Sequence, residues 1–393
     1  MPLKIITTWI VVSSLIVACQ EPVDISGRID GTEQEASTIY IIEPQSLRGV
    51  AAAYFGKVID SAVVDTNGHF AFNHLPTYEA PQLLEIAIKQ AGKAPNYLQT
   101  DDPSLSNYMP IIWQAGESMV ISAHKDHFQK SFSISQPSAV NRALIDLRDV
   151  HLKAYQNHIA GQQWDIEDGS GLIEKEQATS RYQSELIEYA DNSAYLLPAI
   201  VALRWVSPEH YYERVPEFLV RQCSKWKKEQ LNHPWVDELC QAGDPAKLPV
   251  LVGDIFPNLT FPTLNGDTLA TQDQLGEKLT IIDLWASWCA PCRKENRTVL
   301  APLWDQYHLQ GLQIIAYGLE SDATQWRTAV ERDGADRWLH GSDLQGDDAP
   351  FLAQLRIQTI PANFILDGEG KVVAKNVHGS DLIDLVNDHL EMP

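Results

Sequence analysis

Three periodicities follow one another along the chain. Over residues 23–125 the apolar positions fall in short runs rich in β-branched and aromatic residues. These are Val23-Asp-Ile-Ser-Gly-Arg-Ile29, Thr38-Ile-Tyr-Ile-Ile42, Lys57–Val64, His69-Phe-Ala-Phe72, Gln82–Ile88, Ile111-Ile-Trp113 and Met119–Ala123. Runs of this kind predict strands. Asn67-Gly68 between two of them predicts a tight hairpin, because both residues tolerate positive φ. Antiparallel strands at this spacing predict a small β-sandwich. From Ser138 the period lengthens: Val140, Leu144, Leu147, His151 and Tyr155 recur at helical spacing. Leu172–Tyr189 and Ala194–Val206 repeat that pattern, Ser207-Pro208 can open a further helix, and His233-Pro234 breaks it before a short piece, Trp235–Leu239. This reads as a helical domain with a modest core of its own.

After Val252 the pattern changes again. Gly253–Pro257 is an extended lead-in, and Leu259–Leu264 with Thr268-Leu269 forms a hairpin. Lys278–Ala286 is a buried strand, Cys292–Gln310 a helix, Leu312–Tyr317 a strand and Asp322–Arg332 a helix. Pro350–Arg356 is helical, Asn363–Leu366 and Lys371–Ala374 make a hairpin, and Ser380 caps a last helix. The order is that of a layered α/β sheet.

The N-terminus obeys none of these periods. Lys4 precedes an apolar run, Ile5–Ala18, too short to span a membrane comfortably and fitting the h-region of a signal peptide. It ends in Ile16-Val-Ala-Cys19, which resembles a bacterial lipobox and implies cleavage before Cys19 and lipidation of its thiol; an ordinary secretory peptide is the alternative. The expected organisation is a leader over 1–18, a β-sandwich-like domain over 19–135, a helical domain over 136–248 and an α/β domain over 249–393. In either case the mature protein works outside the cytoplasm, where disulfides persist. The expected location is a periplasm-facing lipoprotein of the cell envelope, held to the membrane by its lipid alone.

Length and composition narrow the picture further. At 393 residues, 44% hydrophobic and 9% aromatic, the chain is globular and long enough for two or three domains. Its net charge of −22 argues against binding nucleic acid or an anionic membrane surface.

The chemistry concentrates in Asp283-Leu-Trp-Ala-Ser-Trp-Cys-Ala-Pro-Cys-Arg-Lys-Glu295, at the junction of a strand and a helix. There Cys289 meets the helix dipole and free backbone N–H groups, which stabilise a thiolate. Cys289 is expected to be the exposed nucleophile and Cys292, inside the first turn, the buried resolving thiol. Pro291 carries no N–H and so withholds one hydrogen bond from the Cys289 thiolate. No histidine lies between the cysteines, and both features lean toward a reductant. Half a zinc site is the competing reading, but no second pair of ligands stands at finger spacing. Cys223 and Cys240, 17 residues apart, read most simply as buried free thiols, with a disulfide across the His233-Pro234 turn as the alternative. His124 and His127 read as surface residues. No metal and no cofactor beyond a redox-active Cys289–Cys292 pair is expected.

These motifs, with Thr359-Ile-Pro361 before a strand and Phe364-Ile-Leu-Asp-Gly-Glu-Gly370, resemble the TlpA/ResA-like thiol-disulfide oxidoreductases of the thioredoxin fold. The likeness covers residues 252–393. Gly253–Pro257 and Asp267 match that group's additional N-terminal strands. Residues 23–125 resemble the β module of unassigned function carried by Gram-negative thioredoxin-like lipoproteins. The resemblance implies that Pro361 is a cis-proline facing the cysteines, with the backbone at Ile360 free to pair with substrate. It implies that Asp283 is the buried acid beneath the site and Glu295 the acid of the ResA-like branch, though Glu295 also reads as a solvated helix-surface residue. Trp288 is expected to shape the substrate surface with Pro291, and Trp285 either joins it or belongs to the core. Asn296 stands where proline is usual, so a weaker helix kink is expected, and Ala362 replaces the usual threonine. Protein thiols and disulfides are the implied substrates, a membrane thiol transporter the implied electron donor, and cytochrome c maturation one known use. Two other functions compete. A thiol peroxidase shares the fold, but its reactive cysteine sits in a Thr-x-x-Cys setting, whereas Cys289 follows Ala-Ser-Trp. A partner-binding lipoprotein with secondary redox activity is the third.

Overall fold

The computed structural model describes residues 23–32, 37–165, 170–229 and 232–391; the expected leader and Cys19 lie outside them. The N-terminal part contains β1 (Ile25–Asp30), β2 (Ser37–Glu43), β3 (Lys57–Val64), β4 (His69–Phe72), β5 (Gln82–Ile88), β6 (Tyr108–Trp113) and β7 (Met119–His124). A short α1 (Phe128–Ser131) and β8 (Ser133–Ile134) complete it. Two four-stranded sheets form, ordered β4-β1-β7-β8 and β3-β2-β5-β6.

Two sequence expectations are corrected here. The Asn67-Gly68 turn is present, with the Gly68 N–H donated to Asp65 and the Asp65 N–H to His69, but it does not close a hairpin. The strands it joins belong to different sheets, so the turn passes the chain from one layer to the other. Nor is the pairing all antiparallel: β1 runs parallel to β7, from Ile25 opposite Met119 to Asp30 opposite His124. Gly27 sits where a Cβ would strike the Ile121 backbone, so this close approach needs glycine.

The helical part follows as α2 (Ala139–His158), α3 (Ser170–Asn192), α4 (Leu196–Val206), α5 (Pro216–Glu229) and α6 (Pro234–Ala242). It does not keep a core to itself, as its periodicity had implied. One apolar cluster runs from Ile25 and Phe72 through Trp113 to Leu147, Trp205, Trp226 and Leu239. The reason lies in α4, whose side chains from Ala199 to Val206 are all buried; a helix apolar on every face must be covered on every face. Cys223 and Cys240 join α5 to α6 as a disulfide, with Cα atoms 4.8 Å apart, in place of the free thiols expected.

The C-terminal part has its own core, built around Trp285, Ile314, Phe351, Phe364 and Leu382. A hairpin of β9 (Thr260–Pro262) and β10 (Thr268–Ala270) precedes β11 (Leu279–Trp285), α7 (Ala290–Glu295) and α8 (Ala301–Tyr307). Then come β12 (Leu312–Gly318), α9 (Ala323–Arg332), β13 (Leu339–Gly341), α10 (Pro350–Leu355), β14 (Ala362–Asp367), β15 (Val372–Lys375) and α11 (Gly379–Glu391). The five-stranded sheet runs β13-β12-β11-β14-β15, with β11 parallel to β12 and antiparallel to β14. This is the thioredoxin-like α/β layer expected. The β11 strand is central and wholly buried, which explains its continuous apolar run. Two local expectations fail. The helix after the cysteines is not regular, because Asn296–Leu300 adopts a π-helical turn between α7 and α8. Pro302 lacks the N–H that would bond back to Thr298, so the irregularity arises there despite Asn296. Ser380 does not cap α11, which begins one residue earlier, at Gly379.

Candidate redox site

The site grows from the end of β11. Its register sets Asp283 opposite Asn363 and Leu284 opposite Ala362, so Pro361 lies beside the strand end from which the cysteine loop departs. The Ile360–Pro361 peptide is cis, as the resemblance implied. Cys289 is the N-cap of α7 and Pro291 stands in its first turn. Cys289 and Cys292 are joined as a disulfide, Cα atoms 5.3 Å apart. The Cys292 N–H points at the Cys289 sulfur at 3.4 Å, while Pro291 has no N–H to offer.

The cysteines themselves bring a correction. Cys289, expected to be exposed, is only 5% accessible, close to Cys292 at 2%. The helical part packs on the elements that carry the pair. Helix α3 packs against α7, and the loop before α5 is bonded to the cis-proline loop. Arg214 donates to the Pro361 carbonyl at 2.9 Å and to Asn376 at 2.6 Å. Glu213 accepts from the Gln358 N–H and the Thr359 hydroxyl, both at 3.2 Å. Glu176 on α3 holds Arg214 in turn at 3.1 Å. Trp288 stays 63% exposed at the rim, whereas Trp285 is fully buried core, edge-on to His340.

The two elements that flank the cysteine loop, β11 and α7, also share a buried carboxylate cluster. Asp283 is 4% accessible, and burial pushes its carboxyl up to about 8; the charge of Glu295 adds to the rise and His378 opposes it. Glu295 is buried too, which overturns the solvated-surface reading. Its two oxygens accept from the His378 ring Nδ1 at 2.8 Å and the Gly379 N–H at 3.0 Å. A carboxylate on α7 thus caps α11 across space, where the helix dipole favours negative charge. Burial would lower the His378 imidazole, but the charge and hydrogen bond of Glu295 outweigh it, so it is raised on balance.

Sequence reasoning missed His378, Glu213 and Arg214. It also missed Glu320, whose buried carboxylate accepts the Ser287 N–H and hydroxyl and so holds the loop before Cys289. A glutamate two residues past an apolar strand was the one local signal for it. Arg293 adds a second brace: it pairs with buried Asp333 and donates to the Ser287 carbonyl at 3.3 Å. Among the described residues no group of three or more His, Cys, Asp or Glu side chains is placed to hold a metal ion.

Residues 251–387 match the family model for Redoxin. The C-terminal third of the chain is a Redoxin domain. Over this domain the chain is 28% identical to the thiol:disulfide interchange protein DsbE of Pseudomonas fluorescens biotype C, covering 34% of this chain and 71% of that one. It is 25% identical to the thiol-disulfide oxidoreductase ResA of Bacillus subtilis, over 36% and 74% of the two chains. The thioredoxin domain of a thiol-disulfide oxidoreductase from Bacteroides vulgatus has 26% identity over 36% of this chain and 99% of that one, with a TM-score of 0.33. The matches to DsbE and ResA take in about a third of the chain, and the β and helical parts lie outside them.

Proposed function

We propose that this protein is a thiol-disulfide oxidoreductase of the cell envelope that reduces disulfides on partner proteins. The observation that carries the reading is the Cys289–Cys292 disulfide at the N-terminus of α7, beside the strand that begins after cis-Pro361. The DsbE and ResA relatives support the activity by their names. In the forward step the Cys289 thiolate attacks one sulfur of a substrate disulfide, and the other leaves as a thiolate. The Cys292 thiol gives up its proton, its sulfur attacks Cys289, and the second substrate thiolate departs. Two electrons pass to the substrate, and the protein is left as the disulfide seen here. Asp283, whose carboxyl burial pushes up to about 8, is the group suited, once ionised, to take the Cys292 proton. Ile360 and Trp288 border the surface on which substrate backbone would lie.

The finer setting follows from the N-terminal sequence: a signal peptide, lipidation at Cys19 and a periplasm-facing position, with electrons from a membrane thiol donor. Among the described residues no helix is long and apolar enough to cross a membrane. Insulin-disulfide reduction tests the reading. The wild type should precipitate insulin B chain with dithiothreitol as donor, and Cys289→Ser should abolish this. Cys292→Ser should trap mixed disulfides with envelope proteins. Peroxide consumption without insulin reduction would overturn the reading in favour of a thiol peroxidase.

A further inference from the structure

His378 lies 86 residues beyond the cysteine pair in sequence yet is buried against the carboxylate cluster. Its Nδ1 is 2.8 Å from Glu295, and its carbonyl accepts from Gln177 of α3 at 2.8 Å, so ring and backbone are both fixed. Its Nε2 is buried with no hydrogen-bond partner among the described residues. Buried His151 and His340 also leave a ring nitrogen unpartnered, but of the three only His378 has its other nitrogen on a carboxylate. Here the bond to Glu295 fixes the ring, while Nε2 can take on or release a proton without breaking that bond. The charged groups facing His378 are Glu295 from α7, Glu176 from α3, Arg214 from the loop before α5 and, through Glu295, Asp283 from β11. Two carboxylates crowded together in an apolar site would hold a shared proton tightly. An imidazolium beside them makes the second negative charge tolerable.

We propose that His378 is a positioning residue for the resolving step: it pairs with Glu295 so that Asp283 can lose its proton, and thereby receive the one from Cys292, at neutral pH. The proposal rests on Asp283 acting as the proton acceptor. During resolution the Cys292 proton passes to the Asp283 carboxylate, the Cys289–Cys292 bond forms, and the departing substrate thiolate is reprotonated, so the cluster returns to its starting charge.

The test is single-turnover reaction of the reduced full-length protein with a small aromatic disulfide, followed from pH 5 to 9. The slower phase is resolution, and Cys292→Ser removes it. His378→Asn keeps an amide donor for Glu295 but cannot carry charge. It should melt like wild type while the acid limb of the slow phase moves up by about one pH unit, roughly a tenfold loss of rate on that limb. Glu295→Gln removes the neighbouring charge and should move the limb the other way. If His378→Asn restores the wild-type profile, the role is purely structural and the proposal falls. Asp283→Asn separates the two layers: loss of the limb in this variant with no shift in His378→Asn refutes the His378 role alone. A limb unchanged by Asp283→Asn refutes the proton acceptor itself.

Discussion

Replacing Asp283 with asparagine should stabilise the protein, and the gain should grow with pH. In the unfolded chain this carboxyl ionises near 3.8, whereas in the folded state burial pushes it up to about 8. Between roughly pH 5 and 7 the folded state therefore holds one proton that the unfolded state has lost. Raising pH over this window favours unfolding by about 1.4 kcal/mol per pH unit. Two units amount to about 2.7 kcal/mol, present in wild type and absent in Asp283→Asn, whose amide does not titrate. For a domain of about 140 residues this corresponds to a melting-temperature difference of roughly 5–10 °C. The measurement is thermal unfolding of both proteins at pH 5, 6 and 7, followed by tryptophan fluorescence, with Trp285 in the same core. Only the difference between the two proteins is read, because Glu85 in the N-terminal core is also raised to about 8 and contributes equally to both. A melting difference that stays constant from pH 5 to 7 would show that Asp283 is not held protonated, and the proton-acceptor argument would lose its basis.

Two further outcomes follow from the helical part. Arg214→Ala removes the bonds to the Pro361 carbonyl and Asn376, loosening the packing of the helical part on the elements that carry the pair. With about 1.5 kcal/mol lost from a charge-assisted contact, iodoacetamide should alkylate Cys289 of the reduced protein about tenfold faster; an unchanged rate would mean that this contact does not limit access. Cys223→Ala with Cys240→Ala opens a 17-residue loop and should cost about 3 kcal/mol in urea unfolding, while insulin reduction per folded molecule stays at the wild-type rate. A fall in that rate would assign the second disulfide a redox role.

The Redoxin domain was legible because its signals are local. A continuous apolar strand, a Cys-x-x-Cys at its end and a Thr-Ile-Pro before the next strand each declare themselves within a few residues. The two-sheet N-terminal part was legible as strands but not as pairings. Nothing in the runs Ile25–Asp30 and Met119–His124 says that they lie side by side in parallel, nor that Asn67-Gly68 joins two sheets. Strand β13, three residues long, falls below the length at which periodicity speaks. The burial of Cys289 was invisible for another reason. It accompanies the docking of the helical part on the cis-proline loop, where Glu213 and Arg214 bond to partners 145–162 residues away, in a segment whose periodicity reports only its own helices.

Glu295 marks the boundary between what sequence pattern can and cannot reach. Its spacing from Cys292 puts it on the helix face nearest the site, yet spacing is silent on whether that face meets water or protein. Burial of a carboxylate is tolerated only when its oxygens find donors. A reader who held Glu295 to be buried would have had to look for a donor pair elsewhere. His378-Gly379, an imidazole followed by the free N–H of a helix start, offers both in adjacent residues. Glu295 and His378 also carry the cluster's charge balance, since Glu295 raises Asp283 and His378 restrains that rise. The last helix therefore serves the site through its first turn, and a change at residue 378 should reach the thiol chemistry without touching either cysteine.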